Sequence, residues 1–123
     1  MKKSYFIIFI MIFIIILTAC KGVDFNGSRT GNTSELIMKY SMFDTTDSQL
    51  LELEKDDVID VEIKSDSGKL NVLIQKDSSE PIYESKNVPT SSFQVKINES
   101  GTYKVTVTGE KAQGSVSFIK NVE

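Results

Sequence analysis

The sequence predicts an all-β protein, an antiparallel sandwich of about seven or eight strands that follows an N-terminal apolar signal helix. Three observations carry this prediction. Apolar and polar residues alternate with period two in short runs after residue 34, turn residues separate these runs, and no sustained helical period occurs after Cys20. Strands with one apolar face each bury those faces by stacking two sheets, and a small closed barrel is the alternative.

The segment Met1–Ala19 has the parts of a bacterial export signal. Lys2 and Lys3 precede an uncharged apolar run, Tyr5–Leu17, and small residues follow it before Cys20. The run is shorter than the roughly 20 apolar residues that a spanning helix needs. We therefore expect a cleaved signal rather than a retained transmembrane anchor.

The four residues Leu17-Thr18-Ala19-Cys20 resemble the lipobox of bacterial lipoproteins at every position. The resemblance implies cleavage between Ala19 and Cys20, a diacylglyceryl group on the Cys20 sulfur, and a protein held at the extracytoplasmic face of the cell membrane. Acyl chains anchor a protein because each buried CH₂ contributes about 0.8 kcal/mol. Cys20 is the only cysteine, so no disulfide can form within the chain.

The chain after the signal has room for one domain. Residues 20–34 are polar, with glycines among Ser, Thr and Asn, and predict a lipidated cysteine followed by a flexible tether. The alternative is that Val23–Phe25 adds an edge strand. Residues 35–123 form the predicted sandwich. Removal of residues 1–19 takes away two lysines and no acid, so the formal charge changes from −3 to −5, and we expect no binding to nucleic acid.

Alternating residues define the strands in order. The first is predicted at Glu35–Phe43, and a second contains Leu51 and Leu53. Two strands follow at Ile59–Lys64 and Leu70–Ile74, each with one apolar side and one polar, solvent-facing side. The segment between them, Ser65–Lys69, contains a glycine that can take the positive φ of a tight turn, so we expect these two strands to pair as a hairpin.

The second half of the chain continues the same pattern. Its strands are predicted around Ile82–Tyr83, Phe93–Ile97, Tyr103–Val107 and Ser115–Phe118, with a turn at Asn98–Gly101 and a loop at Gly109–Gly114. The order of these strands is open between a jelly-roll and an immunoglobulin-like arrangement.

The run Glu99–Val105 resembles the turn and F strand of immunoglobulin-like domains, in which a corner tyrosine bonds back to the backbone. Tyr103, preceded by Gly101, matches that tyrosine, whereas Val105 stands where antibody domains carry a cysteine. The order of several motifs along the chain is similar to that in the prepeptidase C-terminal and GOLD-like sandwiches. These motifs are Gly68-Lys69-Leu70, Tyr83, Gly101-Thr102-Tyr103 and Gly114. These are structural residues, so the resemblance implies a fold and no activity.

The composition limits the chemistry that this chain can perform. Histidine and tryptophan are absent, which excludes Ser-His-Asp and Cys-His catalysts and histidine-containing zinc sites. We predict no enzyme, no cofactor and no metal. The alternative catalyst is a carboxylate-dependent hydrolase that uses Asp57 or Asp60, and the alternative metal site is calcium at Asp56 and Asp57, helped by Asp66 or Asp77.

A lipid anchor, a tether and a rigid sandwich together would hold a folded domain outside the membrane, where it can contact other molecules. We therefore expect a monomeric, non-catalytic binding module of the cell envelope that contacts an envelope protein or cell-wall material. The alternative is an accessory or chaperone-like subunit of an envelope enzyme or transporter.

Overall fold

A computed structural model describes residues 24–77 and 79–122, and the regular elements in these residues are seven β-strands. They are β1 (Phe25–Asn32), β2 (Glu35–Phe43), β3 (Thr46–Leu53), β4 (Val58–Lys76), β5 (Pro81–Ser85), β6 (Ser91–Lys96) and β7 (Gly101–Asn121). The predicted all-β class and antiparallel pairing are confirmed. Among these residues, no helix has the length and apolar character needed to cross a membrane. The predicted signal helix lies outside the described residues.

The long strands β4 and β7 form one antiparallel ladder that runs from the pair Val58 and Asn121 to the pair Lys76 and Tyr103. The other strands attach to this ladder: β2 and β3 pair with β7, β5 and β6 pair with β4, and β1 pairs with β2. Both long strands bend near their middle, so the ladder passes through two layers. In the five-stranded layer, β2 pairs with residues 112–119 of β7 and β6 pairs with residues 58–63 of β4, and β1 extends the layer beyond β2. In the four-stranded layer, β3 pairs with residues 101–108 of β7 and β5 pairs with residues 72–75 of β4.

The bends correct two predictions. Register shifts interrupt β4 between Ser65 and Lys69, and Gly68 there has a φ of 75°. The segment is a bulged corner within one strand, so the predicted hairpin between Ile59–Lys64 and Leu70–Ile74 is wrong, and both segments pair with β7 instead. The predicted loop Gly109–Gly114 is likewise a bent part of β7. A glycine with positive φ suits a bulge as well as a turn, which explains the error.

A single apolar core lies between the two layers. Alternate residues of β2 are buried, as are those of both halves of β4 and β7, which confirms the period-two pattern. The largest fully buried side chains are Phe43, Phe118, Leu36, Met38, Leu51, Ile59, Leu70, Ile74 and Ile97. Burial of one such side chain contributes about 1.5–3 kcal/mol, so this core is the main source of stability in a chain without disulfides.

Side chains close the two open sides of the sandwich. On one side, Arg29 of β1 donates from Nε to the Oδ2 atom of Asp47 at 2.7 Å and from Nη2 to the carbonyl of Ser48 at 3.0 Å. On the other side, the rings of Tyr83 on β5 and Phe93 on β6 stack with centroids 4.9 Å apart. Each contact joins an edge of one layer to an edge of the other.

Strand β1 corrects the predicted tether. Residues 25–32 were predicted as flexible chain, whereas they pair with β2 along their length, so the structured domain begins before residue 35. Nearly all of β1 is exposed, which explains its polar composition. Its first residue packs inward, since the Phe25 ring lies 5.9 Å from the Phe43 ring and 6.4 Å from the Tyr40 ring, measured between centroids. The alternative interpretation placed an edge strand at Val23–Phe25; the edge strand in the structure is Phe25–Asn32, which shares only Phe25 with that expectation.

The bend in β7 generates a first prediction. Gly114 has a φ of 147°, and an added Cβ would collide with the carbonyl oxygen of Lys64 on the paired strand. Gly114→Ala should therefore lower the free energy of unfolding by about 2 kcal/mol in a urea titration. Gln113→Ala, at the exposed neighbouring position, is the control and should change it little. Equal unfolding midpoints for the two variants would contradict the bent-ladder description.

Candidate functional site

The outer face of the five-stranded layer carries polar side chains in three cross-strand rows. Alternation along β2, β4 and β7 sends one set of residues into the core, so the intervening set lies together on this face. Strand register then fixes which residues stand side by side. The acidic row is Glu35, Ile119, Asp60 and Gln94; the middle row is Ile37, Ser117, Glu62 and Ser92; the lysine row is Lys39, Ser115 and Lys64.

The face has opposite charges at its two ends. Asp60 and Lys64 are four residues apart on β4, which places them roughly 13 Å apart along the strand. An apolar side chain lies among the carboxylates of the acidic row, since Ile119 is paired with Glu35 on one side and Asp60 on the other. Ile119 is 39% exposed. An exposed apolar residue surrounded by charged groups is typical of the centre of a protein-binding surface.

Asp60 is held in place by two amide groups. The Nε2 atom of Gln94 donates to Oδ1 at 2.7 Å, and the Nδ2 atom of Asn121 donates to Oδ2 at 3.0 Å. The three side chains come from β6, β4 and β7, so this network ties together the strands beneath the acidic row. A partner that docks here meets side chains that are already ordered, which lowers the entropic cost of binding.

Three shallow grooves open on this face and share lining residues. One, of about 460 Å³, is lined by Asp60, Glu62 and Ile119 among others. A second, of about 540 Å³, also contacts Glu62 and extends to Lys64. The third, of about 450 Å³, is lined by Lys39 and Lys64. Together they form one trough that runs from the carboxylates to the lysines. On the outer face of the four-stranded layer, a groove beside Asn71 and Thr108 measures about 170 Å³.

Tyr40 lies at the lysine end of the trough. Its side chain is buried among core residues, and it also lines the third groove together with Asp66. Burial raises the pKa of Tyr40 to about 12, and the nearby negative charge of Asp66 adds to the shift. The hydroxyl therefore keeps its proton to a higher pH than the hydroxyl of an exposed tyrosine does.

Asp56 and Asp57, the residues of the alternative calcium site, lie in the turn between β3 and β4. Asp57 is buried, and its Oδ2 atom accepts a hydrogen bond from the Glu54 amide at 2.8 Å and lies 3.8 Å from the Lys120 ammonium. The Asp56 amide donates to the carbonyl of Ile97 at 2.8 Å. Within 24–77 and 79–122, no three His, Cys, Asp or Glu side chains come together as metal ligands.

The corner residues lie at the start of β7. The Tyr103 hydroxyl donates to the carbonyl of Glu99 at 2.5 Å, four residues upstream, which is the bond described for corner tyrosines. Burial raises the pKa of Tyr103. Gly101 pairs with Leu53, and the Lys76 side chain crosses directly over it to reach Glu99 at 3.0 Å. The lipidation and cleavage positions, Cys20 and Ala19, lie outside the described residues.

Part of the candidate site could be seen in the sequence. The alternation placed Asp60, Glu62 and Lys64 on one wet face, and the structure leaves Glu62 and Lys64 exposed and Asp60 partly so. The residues that join them from β2 and β7, such as Lys39 and Ile119, were missed. Their place depends on strand register between segments far apart in sequence, which alternation alone does not determine.

Comparisons with known proteins found likenesses of fold only. No protein-family model matches the chain, and the search of curated proteins gave no match. Among solved structures, the chain is similar to PliG of Aeromonas hydrophila, a periplasmic inhibitor of g-type lysozyme, with 16% identity and a TM-score of 0.49 over 83% of this chain and 90% of that one. A structure described as CBM4 gives 11% identity and a TM-score of 0.43 over 77% and 74% of the two chains.

A cupin domain from Bordetella pertussis gives 12% identity and a TM-score of 0.37, over 83% of this chain and 98% of that one. These likenesses concern the fold alone.

The buried tyrosine generates a second prediction. Its pKa of about 12 exceeds the ordinary value of 10.0, so the unfolded chain loses this proton at lower pH than the folded chain. The contribution of this hydroxyl to the free energy of unfolding is fully present below pH 10. It decreases by about 2 kcal/mol as the pH rises toward 12. Tyr40→Phe should reduce this pH dependence in urea titrations between pH 9 and 11.5. An unchanged dependence would show that Tyr40 titrates normally.

Proposed function

We propose that this protein is a lipid-anchored lipoprotein of the cell envelope that uses its sandwich to bind a partner protein outside the cytoplasmic membrane. Lipidation is supported by the lysine pair, the apolar run and the four lipobox positions before the domain. The single observation that carries the binding role is the trough across the five-stranded layer, with Ile119 beside the hydrogen-bonded carboxylate of Asp60 at one end and two lysines at the other.

A protein partner suits the chemistry of this trough. Protein-binding surfaces combine an apolar centre with a polar rim. The face that carries the trough has Ile37 on β2 and Ile119 on β7, with hydroxyls and charges around them. Opposite charges about 13 Å apart favour a partner that presents complementary charges at the same spacing. Charge complementarity of this kind contributes to specificity and to the rate of association more than to affinity.

A non-catalytic role accounts for Asp57 and Asp60, the two carboxylates of the alternative hydrolase prediction. Asp57 accepts a backbone hydrogen bond and faces Lys120, and Asp60 accepts from Gln94 and Asn121. Both carboxylates thus have a structural use. General acid and base pairs depend instead on environments that separate the pKa values of two neighbouring groups.

The lipid anchor gives a third prediction. Cys20→Ser should abolish palmitate labelling and release the protein from the membrane fraction, because the acyl chains supply the binding energy. Thr33→Ala, at an exposed turn position, is the control and should leave both labelling and membrane retention unchanged. Retention of labelled Cys20→Ser protein in the membrane would remove the lipoprotein assignment.

The trough gives a fourth prediction, which concerns the partner. A photocrosslinking amino acid at Ser117, in the middle row, should form a discrete adduct in living cells, and the same group at Thr106 on the opposite outer face should not. Ile119→Asp should reduce the Ser117 adduct at least about tenfold, since charge at an apolar centre commonly costs more than 1.4 kcal/mol. Equal adducts from both faces would contradict the assignment. An adduct with a subunit of a membrane complex would support the accessory-subunit alternative.

A further inference from the structure

The sandwich has two distinct ends. The bent end contains the corners of β4 and β7, at Ser65–Lys69 and Gly109–Gly114. The turn end contains the segments 54–57 and 97–100, which are joined by hydrogen bonds: the Lys55 amide donates to the Ser100 hydroxyl at 2.9 Å, and the Ile97 amide donates to the Asp57 carbonyl at 2.9 Å. The first half of β7 runs from the turn end to the bent end, and the second half returns to the turn end.

The start of the described chain is fixed at the bent end. The carbonyl of Asp24 accepts a hydrogen bond from the Asp44 amide at 2.7 Å, and the Asp44 Oδ1 atom accepts one from the Lys111 amide at 3.0 Å. The next residue, Phe25, packs its ring against the rings of Tyr40 and Phe43. The point where the chain enters the domain is therefore a rigid part of the corner.

The chain between the lipobox cysteine and this point is short. Cys20 and Asp24 are four residues apart, and four residues reach at most about 14 Å when fully extended. The turn end lies farther away, since Lys111 and Asn121 are ten residues apart along β7, or roughly 33 Å. A lipid on Cys20 therefore holds the bent end close to the headgroups, whereas the chain is too short to bring the turn end to them with the bent end pointing outward.

We propose that the bent end of the sandwich lies against the lipid surface and that the turn end points away from the membrane. This inference rests on the proposed lipidation of Cys20. It places the lysine row, with Lys39 and Lys64, on the membrane side of the trough. The acidic row, with Glu35, Asp60 and Ile119, then lies on the side that faces outward, so a partner reaches the acidic row first.

Two introduced cysteines test this orientation. Glu110→Cys places a thiol at the bent end and Asn98→Cys at the turn end, both at exposed positions. Cys20 is the only natural cysteine, and in the lipidated protein its sulfur carries the lipid. The introduced thiol is therefore the only group that reacts with a thiol-specific fluorescent label. The lipidated protein is placed in phosphatidylglycerol vesicles that contain a headgroup nitroxide lipid. Quenching should be at least about threefold stronger at residue 110 than at residue 98, given their separation of roughly 30 Å.

A tether variant provides the matched control. A flexible Gly-Ser insertion of about 20 residues between Lys21 and Gly22 has a root-mean-square span of roughly 25 Å, so it should abolish the difference in quenching. If the difference survives this insertion, the short chain is not its cause, and the tether length is overturned as the reason for the orientation. Lys69→Cys and Glu54→Cys serve as a second pair if either first variant unfolds, which thermal melts would reveal.

The outcomes separate this inference from the proposed function. Equal or reversed quenching in protein that floats with the vesicles and carries the lipid by mass spectrometry would overturn the orientation and leave the anchor intact. Protein that lacks the lipid and does not float would overturn the lipoprotein assignment itself.

Discussion

The β4–β7 ladder is the constraint on which the rest of the structure depends. Its backbone pairs continue from Val58 with Asn121 to Lys76 with Tyr103, and both strands change layer at the same place. Two paired strands can bend together only where a bulge interrupts the regular hydrogen bonding or a residue takes an unusual backbone angle. The bulges at Ser65–Lys69 and the positive φ of Gly114 have this role. The other five strands extend the sheet outward from this ladder, directly or through β2.

The bend also creates the features on which the functional proposal is built. It stacks the two layers around one core, and it leaves the outer face of the five-stranded layer open with its three rows of side chains. It also gives the domain two unlike ends. The chain enters at the bent end, so a lipid on Cys20 would present the face in one direction rather than in many.

Much of the fold could be predicted from the sequence, because alternation reports which residues are buried. Strand β2 has the predicted bounds, and the buried residues of β4 and β7 follow the predicted pattern. The wrong predictions concern residue types that are common in two different local structures. Gly68 has the positive φ that a hairpin turn would use, yet it lies in a corner; the polar residues of β1 suit a tether, yet they form an exposed edge strand. Only pairing partners distinguish these cases.

The candidate site shows the same division. The alternation in β4 predicts that Asp60, Glu62 and Lys64 share a solvent-facing side. Ile119 lies beside Asp60 because of the register between β4 and β7, and the two residues are about 60 positions apart in the sequence. The most direct test of the account is the pattern of cross-strand nuclear Overhauser effects between backbone protons of the domain. The continuous ladder predicts contacts between Val61 and Phe118 and between Val72 and Val107. Contacts between Ile63 and Leu70 in their place would show a local hairpin and contradict it.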